Sequence, residues 1–194
     1  MRAVPRSVCV FCSSSELIAP RYLTLADDVG AALGSRGWTC VSGGGSVSMM
    51  GRLARATRAA GGHTVGVIPE ALRGREVADL DADELVVTQN MRERKGIMDE
   101  RSDAFLALPG GIGTLEELME VWTAGALAMH DKPVVALDPW GDFALLRAQV
   151  DAWIDGGFVS RDSLTRVRWV ATVDHAIEAL TAPVLPSADS VMGY

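Results

Sequence analysis

The sequence predicts an α/β protein whose parallel sheet is doubly wound, with helices on both faces. Short, uniformly apolar runs alternate with longer segments of helical periodicity from end to end. Two glycine-rich turns, Gly43–Gly45 and Gly110–Gly113, each follow an apolar run and precede a helical segment. Uniformly apolar strands are typical of a parallel sheet that is covered on both faces. We therefore expect ligands beyond the carboxyl ends of the strands, where the strand order reverses.

The first half of the chain supplies four predicted strands. Ser7–Cys12 is an apolar run of strand length, and Leu25, Val29 and Leu33 then recur every four residues on one face of a predicted helix. The predicted segments that follow the first strand are, in order, helix Arg21–Arg36, strand Trp38–Ser42, helix Val47–Ala60, strand His63–Ile68, the mostly loop segment Ala71–Asp83, and strand Glu84–Thr88.

The second half continues the alternation of strands and helices. Pro109 ends an apolar run, because proline cannot donate a hydrogen bond to a sheet. The predicted segments are helix Met91–Ser102, strand Ala104–Leu108, helix Thr114–Met129, strand Pro133–Leu137, helix Phe143–Ile154, strand Arg166–Val170, and a short helix to Leu180. We expect a single domain over residues 1–183 and a frayed tail over residues 184–194.

Composition argues against several classes of partner. The chain has 18 Lys and Arg against 25 Asp and Glu, a net charge of −7, whereas nucleic acid and anionic membranes favour a basic face. No apolar run reaches the roughly 20 residues that a membrane span needs. Residues 1–7 lack the apolar core of a signal peptide. We therefore expect a soluble, cytoplasmic protein with neither nucleic acid nor membrane as its partner.

The cysteines and histidines show no pattern of a redox or metal site. Cys9 and Cys12 have CxxC spacing, but Cys9 lies within a strand-like run rather than on a loop that starts a helix. An odd set of three cysteines in apolar runs favours buried packing in a reducing compartment. The three histidines are scattered along the chain without metal-ligand spacing, so we expect no bound metal.

The two glycine turns fit neither of the common phosphate-binding fingerprints. GxxxxGK[ST] is absent, and neither turn matches GxGxxG. A glycine turn that leads into a helix still offers unpaired N–H groups and the positive end of the helix dipole to an anion. A single phosphate monoester suits such a turn better than a pyrophosphate does. The alternative is that these glycines serve only tight turns with positive φ.

Glu117 admits a structural interpretation as well as a chemical one. It lies three residues after Thr114, which is the spacing of a capping box at a helix N-terminus. The charged run at residues 92–95 is, by itself, typical of a solvated helix face. The chain has two lysines against 16 arginines, which disfavours a Schiff-base enzyme and suits phosphate recognition by guanidinium groups. G-x-S-x-G, the signature of a hydrolase nucleophile elbow, is absent.

Four ordered motifs together identify a family. Residues 109–117 read PGGIGTLEE, matching PGGxGTxxE, and residues 91–95 read MRERK, matching MxxRK. Residues 42–47 read SGGGSV and residues 65–69 read VGVIP. With these motifs the chain resembles the LOG (Lonely guy) family from about Val8 to Leu180. Members of that family are cytokinin riboside 5'-monophosphate phosphoribohydrolases, often mislabelled lysine decarboxylases.

The resemblance implies a Rossmann-like fold, a homodimer with residues of both subunits near the site, and a reaction without metal or organic cofactor. The implied substrate is a nucleoside 5'-monophosphate with an N6-modified adenine. The implied catalytic pair is Arg94 and Glu117. The implied substrate contacts are Gly43, Gly44, Gly45, Glu76, Lys95, Gly110, Gly111, Gly113, Thr114 and Thr123. Glu76 and Thr123 also have structural alternatives, a loop carboxylate and a helix-face hydroxyl.

We hypothesise that Glu117 activates water and holds the ribose hydroxyls, while Arg94 orients the substrate and stabilises charge. Two alternatives remain open: an AMP nucleosidase that uses the same site, and a non-catalytic nucleotide-binding protein. A binder would need only the glycine cradle, so the presence of both Arg94 and Glu117 favours an enzyme.

The chain also departs from the family pattern near the site. Serines stand where many members have glycine (Ser13 and Ser48) or an aromatic residue (Ser42). Ala124 and Ala126 replace the tryptophan and glutamine of a common TWAQ segment. These changes leave the phosphate cradle and the catalytic pair intact. They bear on the shape of the base pocket, and so on the preference for a prenylated adenine over plain AMP.

Overall fold

The computed structural model describes residues 7–73 and 77–184. Seven strands form one parallel sheet with the order β4-β3-β2-β1-β5-β6-β7. The strands are β1 (Ser7–Phe11), β2 (Thr39–Ser42), β3 (His63–Pro69), β4 (Glu84–Thr88), β5 (Ala104–Ala107), β6 (Val134–Leu137) and β7 (Val167–Val170). All seven predicted strands are confirmed, each within one residue of its predicted bounds.

Six helices cover both faces of the sheet, which confirms the doubly wound α/β fold. They are α1 (Pro20–Gly34), α2 (Ser48–Ala59), α3 (Met91–Glu100), α4 (Ile112–Ala126), α5 (Ala144–Asp155) and α6 (Val173–Thr181). Helices α1, α2 and α6 pack into one apolar layer, where Leu33, Leu53 and Leu180 are buried. Helices α3, α4 and α5 pack into the other, around Phe105 and Leu118.

The strand order reverses at β1, the central strand. The side chain of Cys9 lies between Val41 of β2 and Phe105 of β5, which flank it in the sheet. The chain first runs outward from β1 to β4, then returns across the sheet to β5 and runs outward again to β7. Ligands of such sheets bind at the carboxyl ends of the strands on either side of the reversal. The loops after β1, β2 and β5 therefore surround the expected site.

Helices α1 and α2 pack closely because α1 presents two glycines one turn apart. A Cβ at Gly30 would lie 2.4 Å from the Leu53 carbonyl oxygen, and one at Gly34 would lie 2.3 Å from that of Thr57. Any larger residue would push the helices apart. This close packing fixes α2, whose first turn borders the carboxyl edge of the sheet.

Helix α4 begins two residues before its predicted start at Thr114 and ends three residues before Met129. It begins early because Gly111 has the extended backbone of an N-cap and Gly113 already lies in the first turn. It ends at Ala126 because Ala128 takes a left-handed conformation, with φ of 56°. Left-handed residues commonly terminate helices.

The segment predicted as mostly loop between β3 and β4 is tied to the body of the protein by polar contacts. A short 3₁₀ turn spans Glu70–Leu72. Further along, the Arg58 guanidinium donates to the Asp79 carboxylate over 2.8 Å, and both side chains are largely buried. The Thr64 N–H and hydroxyl both donate to Asp83 at 2.8 Å. The second half of this segment is therefore held against α2 and β3.

All three cysteines are buried free thiols, which confirms their predicted packing role. Burial raises the pKa of Cys9 and of Cys12 well above its usual range, and raises that of Cys40 to about 12. Because the thiolate is the reactive form, these groups are unreactive at neutral pH.

No helix in the described parts of the chain is both long enough and apolar enough to cross a membrane. The predicted tail at residues 184–194 lies outside the described residues apart from Val184, and so does the predicted contact residue Glu76.

Candidate active site

A cavity of about 340 Å³ opens at the carboxyl edge of the sheet, where the strand order reverses. The loop after β1 forms one wall, and the start of α4 forms another. The predicted site residues that line it are Gly43, Arg94, Gly111, Gly113, Thr114 and Glu117. Three separate segments of the chain thus bring six of the twelve predicted residues to one place.

Arg94 is the buried cation of this cavity, with 6% of its surface exposed. Its Nε donates to the Val67 carbonyl over 3.1 Å, and its Nη1 lies 3.6 Å from the Met91 sulfur. Within residues 7–73 and 77–184, no carboxylate forms an ion pair with it. A buried charge is costly without a partner. This guanidinium is therefore suited to bind an anionic ligand.

The burial of Arg94 corrects the interpretation of residues 92–95 as a solvated face. Arg92 and Glu93 are exposed, whereas Arg94 points into the protein. The Asn90 side chain caps α3 by accepting from the Glu93 N–H at 3.0 Å, and Glu93 in turn accepts from the Gln89 N–H at 2.7 Å. These reciprocal bonds fix the start of α3, one turn before Arg94.

Gly43 makes room for the Arg94 guanidinium. A Cβ on Gly43 would lie 1.8 Å from Nη2 of Arg94, so another residue would displace the charged group. Gly44 and Gly45 lie behind this contact and are not among the residues that line the cavity. Gly44, with φ of 74°, accepts from the Asp79 N–H at 2.8 Å, and Gly45 pairs with Ala78. The structure thus places Gly43 against the site and the next two glycines in its support.

The start of α4 forms an open cradle of backbone groups. A Cβ at Gly111 or at Gly113 would meet no atom within 4 Å, so both glycines face free space. Thr114 is buried, and its side chain packs on Gly110, where a Cβ would lie 2.1 Å from the threonine hydroxyl oxygen. Exposed N–H groups and the positive end of the helix dipole favour an anion here.

The capping-box interpretation of Thr114 and Glu117 is wrong. Gly111 is the N-cap of α4, without a side-chain cap, and Thr114 lies within the first turn. Glu117 therefore lies one turn too deep in the helix to reach the N-cap backbone. Its half-buried side chain lines the cavity, and its charge, like that of Arg94, influences the Cys9 thiol in β1. Both charged groups therefore lie near the central strand.

Lys95 lies outside this cavity, between α3 and α4. Its ammonium bridges Glu116 and also Glu120, at 2.7 Å from the latter. The hydrogen bond to Glu116, followed by that to Glu120, raises the pKa of Lys95. Thr123 is exposed and lines neither this cavity nor its neighbour. Lys95 instead lines the neighbouring cavity together with Glu117, whereas Thr123 lies apart from the other predicted contacts.

A second, largely apolar cavity of about 200 Å³ lies between α3 and α4, and Lys95, Asp99, Glu120 and His130 also line it. Phe11, Phe105 and Met98 contribute to its walls, and Ala124 lines it from α4. Glu117 lines this cavity as well as the first. An apolar chamber therefore adjoins the polar one, with a carboxylate where the two meet.

Several lining residues were not among the predicted contacts: Ser13, Ser14, Ser15, Met50, Leu72, Met91 and Ile112. The serines could have been found, because they directly follow the first predicted strand at the edge where ligands bind. The apolar side chains carry no signal that distinguishes them from core residues. In the described ranges, no group of three or more His, Cys, Asp or Glu side chains could hold a metal ion.

Comparison with known proteins links this architecture to one family. Residues 50–180 match the family model described as "Possible lysine decarboxylase". The chain is 54% identical over 173 residues to proteins of Mycobacterium marinum and of Mycobacterium tuberculosis, each named cytokinin riboside 5'-monophosphate phosphoribohydrolase. Each alignment covers 89% of this chain and 92% of the relative.

The fold also resembles that of a molybdenum cofactor carrier protein from Chlamydomonas reinhardtii. The two structures superpose with a TM-score of 0.67 at 25% identity, covering 89% of this chain and 94% of the carrier. The same α/β architecture therefore occurs in a protein that is named as a carrier of the molybdenum cofactor. The identity and coverage shared with the mycobacterial proteins show that the chain belongs to the LOG family of cytokinin riboside 5'-monophosphate phosphoribohydrolases.

Proposed function

We propose that the protein hydrolyses the N-glycosidic bond of N6-modified adenosine 5'-monophosphates, releasing the free base and ribose 5-phosphate. The observation that carries the proposal is the pairing of Arg94 and Glu117 in one cavity with an open helix N-terminus. A cation for an anionic ligand, a backbone cradle for phosphate and a carboxylate beside them are the groups that this reaction requires. Its family relatives bear the name of the same activity.

The 5'-phosphate binds at the start of α4. Gly111 and Gly113 leave the space in front of the helix N-terminus unobstructed, and the Thr114 hydroxyl is a further hydrogen-bond donor. Arg94 supplies a full positive charge from the opposite wall. This combination is enough for one phosphate and explains why the chain needs no basic surface at a net charge of −7.

Glu117 acts on the ribose. As the bond between C1′ and the base nitrogen breaks, its electron pair goes to the base and positive charge develops on the sugar, which a carboxylate stabilises. Water forms the new bond to C1′ and passes its proton to Glu117, and the departing base is protonated, through Glu117 or solvent, to give the free base. Arg94 orients the nucleotide and offsets negative charge on phosphate or base.

The apolar cavity supports a preference for a modified adenine. It adjoins Glu117, so a base bound with its ribose at that carboxylate lies next to apolar walls. Ala124, where many family members carry tryptophan, contributes to this chamber. A prenyl-type substituent would displace water from such walls, which favours binding by about 25 cal/mol per Å² buried.

The proposed biological unit is a homodimer in the cytoplasm. Leu118 and Val121 are buried in the core, but Leu127 and Met129 at the end of α4 are 67% and 75% exposed. Exposed apolar side chains of this size favour an interface. A second copy of the chain on this face would also bring Thr123 into a shared site. Light scattering coupled to size exclusion should give about twice the chain mass of 20.6 kDa.

Two alternatives are tested by the same assay. Plain AMP hydrolysis would use the same polar cavity, and a non-catalytic carrier is suggested by the likeness to the molybdenum cofactor carrier. Purified protein is given AMP or N6-isopentenyl-AMP, and free base and ribose 5-phosphate are measured. We expect preference for the prenylated nucleotide. Equal or better use of AMP would indicate a nucleosidase, and binding without release would indicate a carrier.

The role of Glu117 is tested by a matched pair of variants. Glu117→Gln should lower kcat by roughly 10²-fold or more, because an amide can neither accept the water proton nor offset positive charge. Glu178→Gln makes the same change at an exposed position of α6 that lines neither cavity, and serves as the control for folding. Unchanged kcat in folded Glu117→Gln would contradict the proposed mechanism.

A further inference from the structure

Ser48, the first residue of α2, has an unusual backbone conformation. Its φ is 52°, in the left-handed region that residues other than glycine, asparagine and aspartate rarely occupy. Glycine adopts this conformation without strain, and many family members have glycine here. A residue held in a disfavoured conformation beside a functional site calls for a reason in the surrounding contacts.

The side chain of Ser48 supplies such a reason. Its hydroxyl donates a hydrogen bond of 2.5 Å to the carbonyl of Ser15, 33 residues earlier in the chain. Ser15 belongs to the loop after β1 that forms one wall of the polar cavity. A glycine at position 48 would have no group to make this bond. Ser48 itself is not among the residues that line the cavity, so it acts through Ser15.

Both ends of this hydrogen bond are part of further contacts. On the loop side, the Ser15 N–H donates to the Ser13 hydroxyl at 3.1 Å, and the Leu17 N–H donates to the Ser15 hydroxyl at 3.3 Å. On the helix side, Ser46 just before α2 receives a hydrogen bond from Arg55 at 3.1 Å and donates one to Val77 at 2.8 Å. These hydrogen bonds hold the start of α2 in place, and Ser48 connects the loop to it.

We propose that Ser48 is a positioning residue, which holds the Ser13–Ser15 loop in the conformation that binds the phosphate-bearing substrate. This inference rests on the proposed function, because it assumes that the nucleotide occupies the polar cavity. The loop lines the same cavity as the glycine cradle of α4. Without the Ser48 bond the loop samples other conformations, and substrate binding must restore the ordered one.

Two variants separate the hydrogen bond from the backbone strain. Ser48→Ala and Ser48→Gly both remove the hydroxyl, but only glycine accepts a φ of 52° without strain. We expect KM to rise about three- to tenfold in both variants, which corresponds to the net free energy of one hydrogen bond. We expect kcat to stay within about twofold of wild type. The thermal midpoint should be higher for Ser48→Gly than for Ser48→Ala.

A merely structural role for Ser48 gives a different pattern. KM would then follow the loss of stability, rising in Ser48→Ala but not in Ser48→Gly, and that result would overturn the proposal. So would a wild-type KM in both variants.

Hydrogen exchange tests the proposal even if the chain hydrolyses no nucleotide. The Ser15 and Leu17 amides should exchange about three- to tenfold faster in both variants than in wild type. Unchanged exchange in both would overturn the positioning role. Inactive wild-type protein with the expected exchange would instead contradict only the proposed function.

Discussion

Arg94 illustrates how a single residue can look ordinary in sequence and exceptional in structure. It stands in a charged run, and such runs usually face water, yet its guanidinium is buried at the carboxyl edge of the sheet. Sequence periodicity could not show this, because burial of one member of the run depends on Val67 and Gly43, which are distant in the chain. The motif resemblance predicted its importance, and the contacts supply the physical reason.

Gly43→Ala should impair the enzyme through Arg94. The new methyl group would overlap Nη2 of Arg94, only 1.8 Å away, so the guanidinium must move. We expect kcat/KM for N6-isopentenyl-AMP to fall by roughly 10²-fold, as misplacing a positioning group by about 1 Å does. Steady-state kinetics measure the effect, and circular dichroism checks that the variant is folded. Wild-type kcat/KM would show that this close approach does not position Arg94.

Glu84 gives a pH dependence that can be assigned to one residue. The Arg101 guanidinium, followed by His63, hydrogen-bonds this carboxyl and lowers its pKa below the ordinary value of 4.5. A lowered folded-state pKa means that the stabilisation is complete above pH 4.5 and is lost as pH falls through the folded value. Arg101→Ala should therefore lose less stability than wild type between about pH 5 and pH 3. Urea unfolding at each pH measures this, and parallel pH profiles would contradict it.

At the scale of elements, the sequence predicted every strand and most helix bounds. Apolar runs such as Ala104–Leu108 and Pro133–Leu137 are short, uniform and bounded by proline or polar residues, so pattern alone locates them. The start of α4 was misplaced because glycine within a first turn disfavours helix on propensity. Gly113 is such a glycine, and the space beside it is open, because a Cβ there would meet no atom within 4 Å. The pattern failed at the point where we propose that the helix binds phosphate.

The end of α4 offers a stabilising substitution. Ala128 has a φ of 56° just beyond the helix, where glycine is unstrained. Ala128→Gly should raise the free energy of unfolding by about 0.5–1 kcal/mol, because it removes backbone strain from the folded state. Chemical denaturation gives the value, and hydrolysis rates should stay at the wild-type level. A decrease in stability would show that the Ala128 methyl group contributes more than its backbone costs.

Helix α6 depends on an arginine from the neighbouring strand. Arg168 of β7 donates to the carbonyls of Ala179, Ala182 and Pro183, which a helix end leaves without backbone partners. Arg168→Leu should lower stability by about 1–3 kcal/mol, since partly buried carbonyls lose their donors. Thermal unfolding measures the loss. Arg147→Leu, at another arginine that lies against an aromatic ring of β7, is the control, and an equal loss in both would argue against capping.

At the scale of the whole molecule, sequence could not decide which apolar side chains of α4 belong to the core. Leu118, Val121 and Leu127 share a helical pattern, yet the first two are buried and the last is exposed. The difference arises because Leu127 follows the last residue of α4 and lies outside the apolar layer that buries the other two, which a one-dimensional pattern does not record. The interface proposed for that end rests on the resemblance and on this exposure together.

Leu127→Glu tests this interface. A charge on that face should shift the protein toward monomer and lower kcat/KM by roughly tenfold or more, if a second copy completes the site. Light scattering and kinetics on the same sample report both effects. Leu145→Glu, at a leucine on α5 that is also largely exposed, is the control. A variant that remains dimeric with full activity would place the interface elsewhere.

The central position of β1 has a consequence for synthesis of the chain. β1 is the first strand to leave the ribosome, yet one of its two edges is covered only by β5, whose pairing joins Val8 to Ala104 and Phe11 to Ala107. Until those residues emerge, an apolar strand edge is open to pairing with other nascent chains. Any truncated product that ends before Ala104 should therefore aggregate, even though its first four strands are intact.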